Sequence, residues 1–85
     1  MGLITRVVTP ERLGEETAAL ARRLAAGPTT AYGRIKRLLR DSWSQELAVQ
    51  LKAELEAFAG CAATADFGEG LAAFFEKRAA VFRGR

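Results

Sequence analysis

The chain has 85 residues, a formal net charge of +3, a single cysteine and no histidine. This length allows one domain at most, and the composition excludes an intrachain disulfide and acid–base catalysis by histidine. No apolar run reaches the roughly 18 residues of a membrane-spanning helix, and the first residues lack the basic-then-apolar order of a signal peptide. The sequence therefore predicts a cytoplasmic protein in which Cys61 is a buried, inert thiol.

The first predicted element is an extended segment. Residues 3–8, LITRVV, are β-branched and apolar and favour an extended backbone. One short strand cannot form a sheet alone, so its neighbours would have to come from elsewhere. We therefore expect residues 1–8 to be an extended lead-in, residues 9–85 to be a single helical domain, and the chain to be a fragment of a longer protein.

Two helices follow. Thr9 is the expected N-cap of the first, Pro10 suits its first position, and Gly27 ends it. The second is expected to begin at Pro28 and to run to about Ser42. Its apolar face contains Ala31, Ile35, Leu38, Leu39 and Trp43.

Two further helices complete the predicted domain. Ser44 is the expected N-cap of the third helix and Asp66 that of the fourth, after which the chain is expected to fray from Val81 to Arg85. The third helix has the apolar stripe Leu47, Leu51, Leu55, Phe58 and Ala62. The buried side of the fourth is expected to contain Phe67, Leu71, Phe74 and Phe75. Four helices with short loops predict an all-α fold, a small bundle of about four helices.

Basic residues fall in two clusters, which favour an anionic partner. The clusters are Arg34, Lys36, Arg37 and Arg40, and Lys77, Arg78, Arg83 and Arg85. The alternative is that both are solvated helix faces. The second helix lacks the polar residues that read bases, so we do not expect nucleic acid as the partner.

Motifs for catalysis are missing from the sequence. There is no cluster of metal ligands, and GEG at residues 68–70 lacks the lysine and the spacing of a phosphate-binding loop. The carboxylates can all be assigned to helix caps or surface ion pairs. We predict no catalytic residues, no metal site and no cofactor in this chain.

Three stretches of the chain carry a family resemblance. They are GLITRVVTPERL, ALARRLAAGPTTAYGRIKRLL and LKAELEAFAGCAATADFGEGLAAFFEKRAAVFRGR. In this order they resemble the C-terminal region of the enoyl-CoA hydratase/isomerase (crotonase) superfamily. From Asp66 onward, the last stretch matches the closing pattern D..EG..AF.EKR.P.F.G, except that Ala79 and Ala80 stand where a proline is common. The resemblance covers nearly all of the chain but only about the last third of the family's length.

The resemblance implies roles for three side chains. Phe58 and Phe74 would line the CoA pocket, and Lys77 would meet the CoA phosphates; CoA would enter as part of the substrate. Phe74 and Lys77 are three residues apart, so we expect them on one helix face. The alternative is that both phenylalanines are core residues and that Lys77 is solvated.

The predicted function follows from the resemblance. The chain would be the C-terminal domain of an enoyl-CoA hydratase/isomerase-family protein, not catalytic alone, covering the acyl-CoA pocket and supporting a homo-oligomer, a trimer or hexamer. Its partners would be an upstream core domain and an acyl-CoA thioester of fatty-acid metabolism. The alternative is a small basic helical module that binds nucleic acid or self-associates. The reaction of the parent stays open between hydratase, isomerase, dehalogenase and thioester hydrolase.

Overall fold

The computed structural model describes residues 2–85 and contains four α-helices. Helix α1 spans Pro10–Ala25, α2 Thr29–Ser42, α3 Leu47–Ala62 and α4 Ala65–Glu76. No strand forms within residues 2–85, and the predicted all-α fold with four helices is confirmed. Met1, the first residue of the predicted lead-in, lies outside the described residues. No helix of residues 2–85 has the length and apolar character needed to cross a membrane.

Helix α1 begins as predicted, whereas α3 does not. Thr9 is the N-cap of α1, with an extended backbone, and Pro10 fills the first helical position. The N-cap of α3 is Glu46 rather than Ser44. Ser44 still belongs to the preceding turn, because its hydroxyl donates to the carbonyl oxygen of Asp41 at 3.3 Å.

Helix α4, by contrast, begins two residues earlier than predicted. Its N-cap is Thr64, whose hydroxyl oxygen accepts a hydrogen bond from the Phe67 N–H at 3.2 Å. Asp66, the predicted cap, lies in the first turn and is buried, with 5% of its surface exposed. Its carboxylate is used elsewhere, and it therefore cannot cap the helix.

Residues 78–85, called here the C-terminal segment, run back along α4. The carboxylate of Asp66 accepts hydrogen bonds from the backbone N–H groups of Arg83 and Gly84, both at 2.7 Å. The Asp66 N–H donates to the carbonyl oxygen of Arg85 at 2.8 Å. The carbonyl oxygen of Gly84 accepts from the Thr30 hydroxyl at 2.8 Å. The predicted fraying of this segment is wrong, because these bonds fix it to α4 and to the start of α2.

The helices pack in an open arrangement. Helix α2 packs against α3 and α3 against α4, while α1 makes few contacts with the others. Within residues 2–85, Ala73 is the only residue with an apolar side chain that is buried, with 3% of its surface exposed. The radius of gyration is 16.2 Å, against about 12 Å for a compact chain of this length. The apolar stripes predicted from the sequence therefore do not meet in one closed core.

Candidate functional site at the end of helix α4

Helix α4 ends in a left-handed turn at Lys77, whose φ is 54°. The Lys77 N–H donates to the carbonyl oxygen of Phe74 at 3.4 Å, and the Arg78 N–H donates to that of Ala73 at 3.0 Å. This pair of hydrogen bonds is the Schellman motif, which usually places glycine at the left-handed position. A residue with a side chain costs about 1–2 kcal/mol more there. The cation of Lys77 is compatible with this position because the C-terminal end of a helix carries partial negative charge.

Phe74 and Lys77 are close together, but not in the predicted way. Helix α4 ends at Glu76, so Lys77 does not continue the helical face that carries Phe74. The two residues are instead linked across the turn by the backbone hydrogen bond between them. Both residues are exposed.

The predicted aromatic residues lie mostly in the open. Phe58 of α3 is 63% exposed and meets Phe67 edge-on, with ring centres 6.2 Å apart. Phe74 and Phe75 are each 76% exposed and meet edge-on at 5.6 Å. The predicted buried side of α4 was Phe67, Leu71, Phe74 and Phe75. Within residues 2–85 the prediction is wrong for Leu71, Phe74 and Phe75, which are exposed, whereas Phe67 is half-buried. The buried residue of this half of α4 is Ala73. Its small side chain allows neighbouring parts of the chain to come close to the helix.

Glu69 joins α4 to the C-terminal segment. The two terminal nitrogens of the Arg78 guanidinium donate to separate Glu69 oxygens, at 2.6 and 2.9 Å, and the Val81 N–H donates to the first of these oxygens at 2.8 Å. Arg78 also donates to Glu76 at 2.5 Å. The bonds from Arg78, and secondly the bond from Val81, lower the pKa of Glu69 to about 2. The same Glu69 contact raises the pKa of Arg78.

An apolar cavity lies beneath the C-terminal segment. Its volume is about 190 Å³, which is enough for a small apolar group. Cys61 contributes to its wall and is partly exposed, so the prediction of a buried thiol is wrong. The other apolar residues that line it are Pro28, Ala31, Phe67 and Phe82.

The basic cluster of α2 is partly used within the chain. The guanidinium group of Arg34 lies against α3 at Gly60, where an added Cβ would come within 2.5 Å of it. Arg40 donates to the carboxylate of Asp41 at 2.9 Å, and this contact raises the pKa of Arg40. The other two members of the cluster are exposed. The free basic patch is therefore smaller than the sequence suggests.

Comparison with known protein families shows which family this chain belongs to. The family model for enoyl-CoA hydratase/isomerase matches residues 1–85. The chain belongs to the enoyl-CoA hydratase/isomerase family. The resemblance of the three sequence stretches is thereby confirmed.

Individual members of the enoyl-CoA hydratase/isomerase family are similar over nearly the whole chain. A probable enoyl-CoA hydratase of Rhizobium meliloti is 39% identical over 99% of this chain and 33% of its own length. The 1,2-epoxyphenylacetyl-CoA isomerase of Escherichia coli is 36% identical over 99% of this chain and 32% of its own length. The crystal structure of a putative enoyl-CoA hydratase from Streptomyces coelicolor has a TM-score of 0.92 at 36% identity, covering 99% of this chain and 30% of its own.

The chain thus spans about a third of the length of the enoyl-CoA hydratase/isomerase relatives it matches. The solved relatives are matched through their C-terminal helical region. The crystal structure of an enoyl-CoA hydratase subunit from Geobacillus kaustophilus shows the same likeness, with a TM-score of 0.90 and 40% identity, over 99% of this chain and 33% of its own.

Sequence reasoning missed the residues that hold the C-terminal segment. Asp66 and Glu69 were interpreted as helix-start and surface carboxylates, and Gly84 was given no role. The sequence did contain a signal for these residues. In the enoyl-CoA hydratase/isomerase pattern, the D falls on Asp66, the E of EG on Glu69 and the final G on Gly84. The pocket roles of Phe58, Phe74 and Lys77 stay predictions.

Proposed function

We propose that these 85 residues are the C-terminal helical part of a longer acyl-CoA-processing enzyme, where they cover the acyl-CoA pocket and support a homo-oligomer. The part would not be catalytic alone, because the catalytic groups would come from a core domain upstream. The proposal rests on two observations. The family model matches the whole of this chain, which corresponds to about a third of the length of its relatives, and the apolar faces of the helices are exposed. A cytoplasmic location and a role in fatty-acid metabolism belong to the same proposal.

The open faces support a covering role. Trp43 is 92% exposed, Phe75 76% and Leu55 67%. Large exposed apolar surfaces mark sites of interaction in soluble proteins. We infer that the upstream core domain covers part of this surface and that neighbouring copies in a trimer or hexamer cover the rest.

The turn at Lys77 supports contact with the ligand. CoA combines anionic phosphates with an aromatic adenine ring and a long apolar arm. An ammonium group binds phosphate as a point charge, and exposed aromatic rings offer surfaces for stacking. Lys77 would therefore meet the phosphates, and Phe58 and Phe74 would line the pocket. CoA is here a part of the substrate.

A CoA titration of the intact protein tests this assignment. We expect NMR shifts at Phe74 and Lys77, and Lys77→Ala to weaken CoA binding about tenfold, the loss of one charge-assisted contact. Lys36→Ala is the matched control, because Lys36 is an exposed lysine on α2 and should leave the affinity unchanged. Shifts confined to other residues, together with normal affinity of Lys77→Ala, would contradict the proposed contact.

A further inference from the structure

The turn at Lys77 is held from both sides. On the helix side it is closed by hydrogen bonds to the carbonyl oxygens of Phe74 and Ala73. On the other side, Arg78 makes a two-point contact with Glu69, one guanidinium nitrogen to each carboxylate oxygen. Glu69 precedes Lys77 by about two helical turns. The pair therefore ties the chain that leaves the turn to the helix that enters it.

The conformation of Lys77 depends on these restraints. A lysine prefers the right-handed or extended regions of backbone space, and a left-handed one persists where its surroundings over-determine it. If the contact between Arg78 and Glu69 were lost, the chain after Glu76 would relax and the lysine side chain would point elsewhere.

The charges around the turn favour a role for Lys77 outside the chain. Arg78 is neutralised by Glu69 and Glu76, at 2.6 and 2.5 Å. No ion pair of Lys77 is found among residues 2–85. The turn therefore presents a cation that makes no ion pair within residues 2–85, next to exposed aromatic residues.

We propose that Glu69 and Arg78 are positioning residues that fix the left-handed turn and so hold the Lys77 ammonium group where it meets the phosphates of a CoA ester. This inference rests on the proposed function, because it requires Lys77 to contact phosphate. Glu69 and Arg78 act through Lys77 and not on the ligand.

A double-mutant cycle on the intact protein tests the proposal. The variants are Glu69→Gln, Lys77→Ala and their combination, and the measurements are the dissociation constant for CoA by calorimetry and amide exchange of residues 77–82 by mass spectrometry. Glu69→Gln keeps the side-chain size but removes the charge and one acceptor. We expect it to weaken CoA binding about threefold alone, and by less than about 1.5-fold when Lys77 is already alanine. Exchange should rise in both backgrounds.

Glu54→Gln is the matched control. It is the same substitution on α3, where Glu54 accepts a hydrogen bond from Gln50 at 3.2 Å, and it should change neither measurement. If Glu69→Gln does not fold, Arg78→Lys takes its place in the cycle, because lysine keeps the charge but cannot form the two-point contact.

The outcomes separate this inference from the proposed function. Additive losses of affinity, or faster exchange without any loss of affinity in Glu69→Gln, would overturn the positioning role while leaving the Lys77 contact intact. Normal CoA affinity in Lys77→Ala would overturn the contact itself and the positioning role with it. A non-additive cycle with faster exchange supports the proposal.

Discussion

The corner between α4 and the C-terminal segment differs from the outer faces of α2 and α3. At the corner, the carboxylates of Asp66 and Glu69 each accept hydrogen bonds from at least two donors. On the outer faces, Leu39 and Leu55 are 63% and 67% exposed. Hydrogen bonds are satisfied by a few well-placed groups, whereas apolar stabilisation grows with the area removed from water. The hydrogen-bonding groups of the corner are therefore satisfied within these residues, whereas the apolar side chains of the outer faces would be removed from water only by contact with another surface.

The largest expected effect breaks the corner. Asp66→Ala removes a buried acceptor of two backbone hydrogen bonds, so we expect the free energy of unfolding to fall by about 3 kcal/mol. Urea unfolding of the intact protein measures this, and amide exchange of residues 83 and 84 locates it. Asp66→Asn keeps one acceptor oxygen and should lose about half as much. A loss below about 0.5 kcal/mol in Asp66→Ala, the range of an ordinary surface substitution, would contradict the role of Asp66.

The next effect tests the open faces. Phe75→Ser should lower the stability of the intact protein by about 2 kcal/mol, because a covered phenylalanine would lose its apolar burial. Thermal unfolding and light scattering measure the stability and the assembly. Lys52→Ser, at an exposed position of α3, is the control. A Phe75→Ser protein as stable as this control would show that the face stays in water.

Two glycine-to-alanine substitutions are expected to have opposite effects on stability, one at the corner and one in α1. Gly84 has a φ of 75°, and an added Cβ would lie 2.5 Å from the Thr29 hydroxyl oxygen, so Gly84→Ala should destabilise by about 1–2 kcal/mol. Gly14 lies inside α1 with nothing within 4 Å. Gly14→Ala should therefore stabilise by about 0.5–1 kcal/mol. Effects of equal sign in the two unfolding experiments would contradict this difference.

The smallest effect is the pH dependence of the corner. The pKa of Glu69 is lowered to about 2, so its contribution to stability is fully present above its usual pKa and is lost as the pH falls through about 2. We expect the Glu69 carboxyl signal to titrate near pH 2 by NMR, with the Val81 amide still protected at pH 4. Titration near the usual glutamate value would contradict the contact with Arg78.

The positions of the helices could be predicted from the sequence better than the surfaces against which the helices pack. The start of α1 at Pro10 was predicted correctly because the fixed φ of proline acts locally at the first helical position. The burial of Phe75 was wrong because an apolar stripe marks a face but does not say whether its cover lies in the same chain. The role of Asp66 was missed because its donors are backbone amides 17 and 18 residues away, and backbone amides have no side-chain signature.

The exposed end of α2 has a practical consequence. Trp43 is the sole tryptophan of these 85 residues and is 92% exposed. An indole in water emits at longer wavelength than one in a dry environment. The difference in fluorescence between the intact protein and its Trp43→Phe variant is therefore an optical gauge of how dry this end of the helix becomes, and it needs no added label.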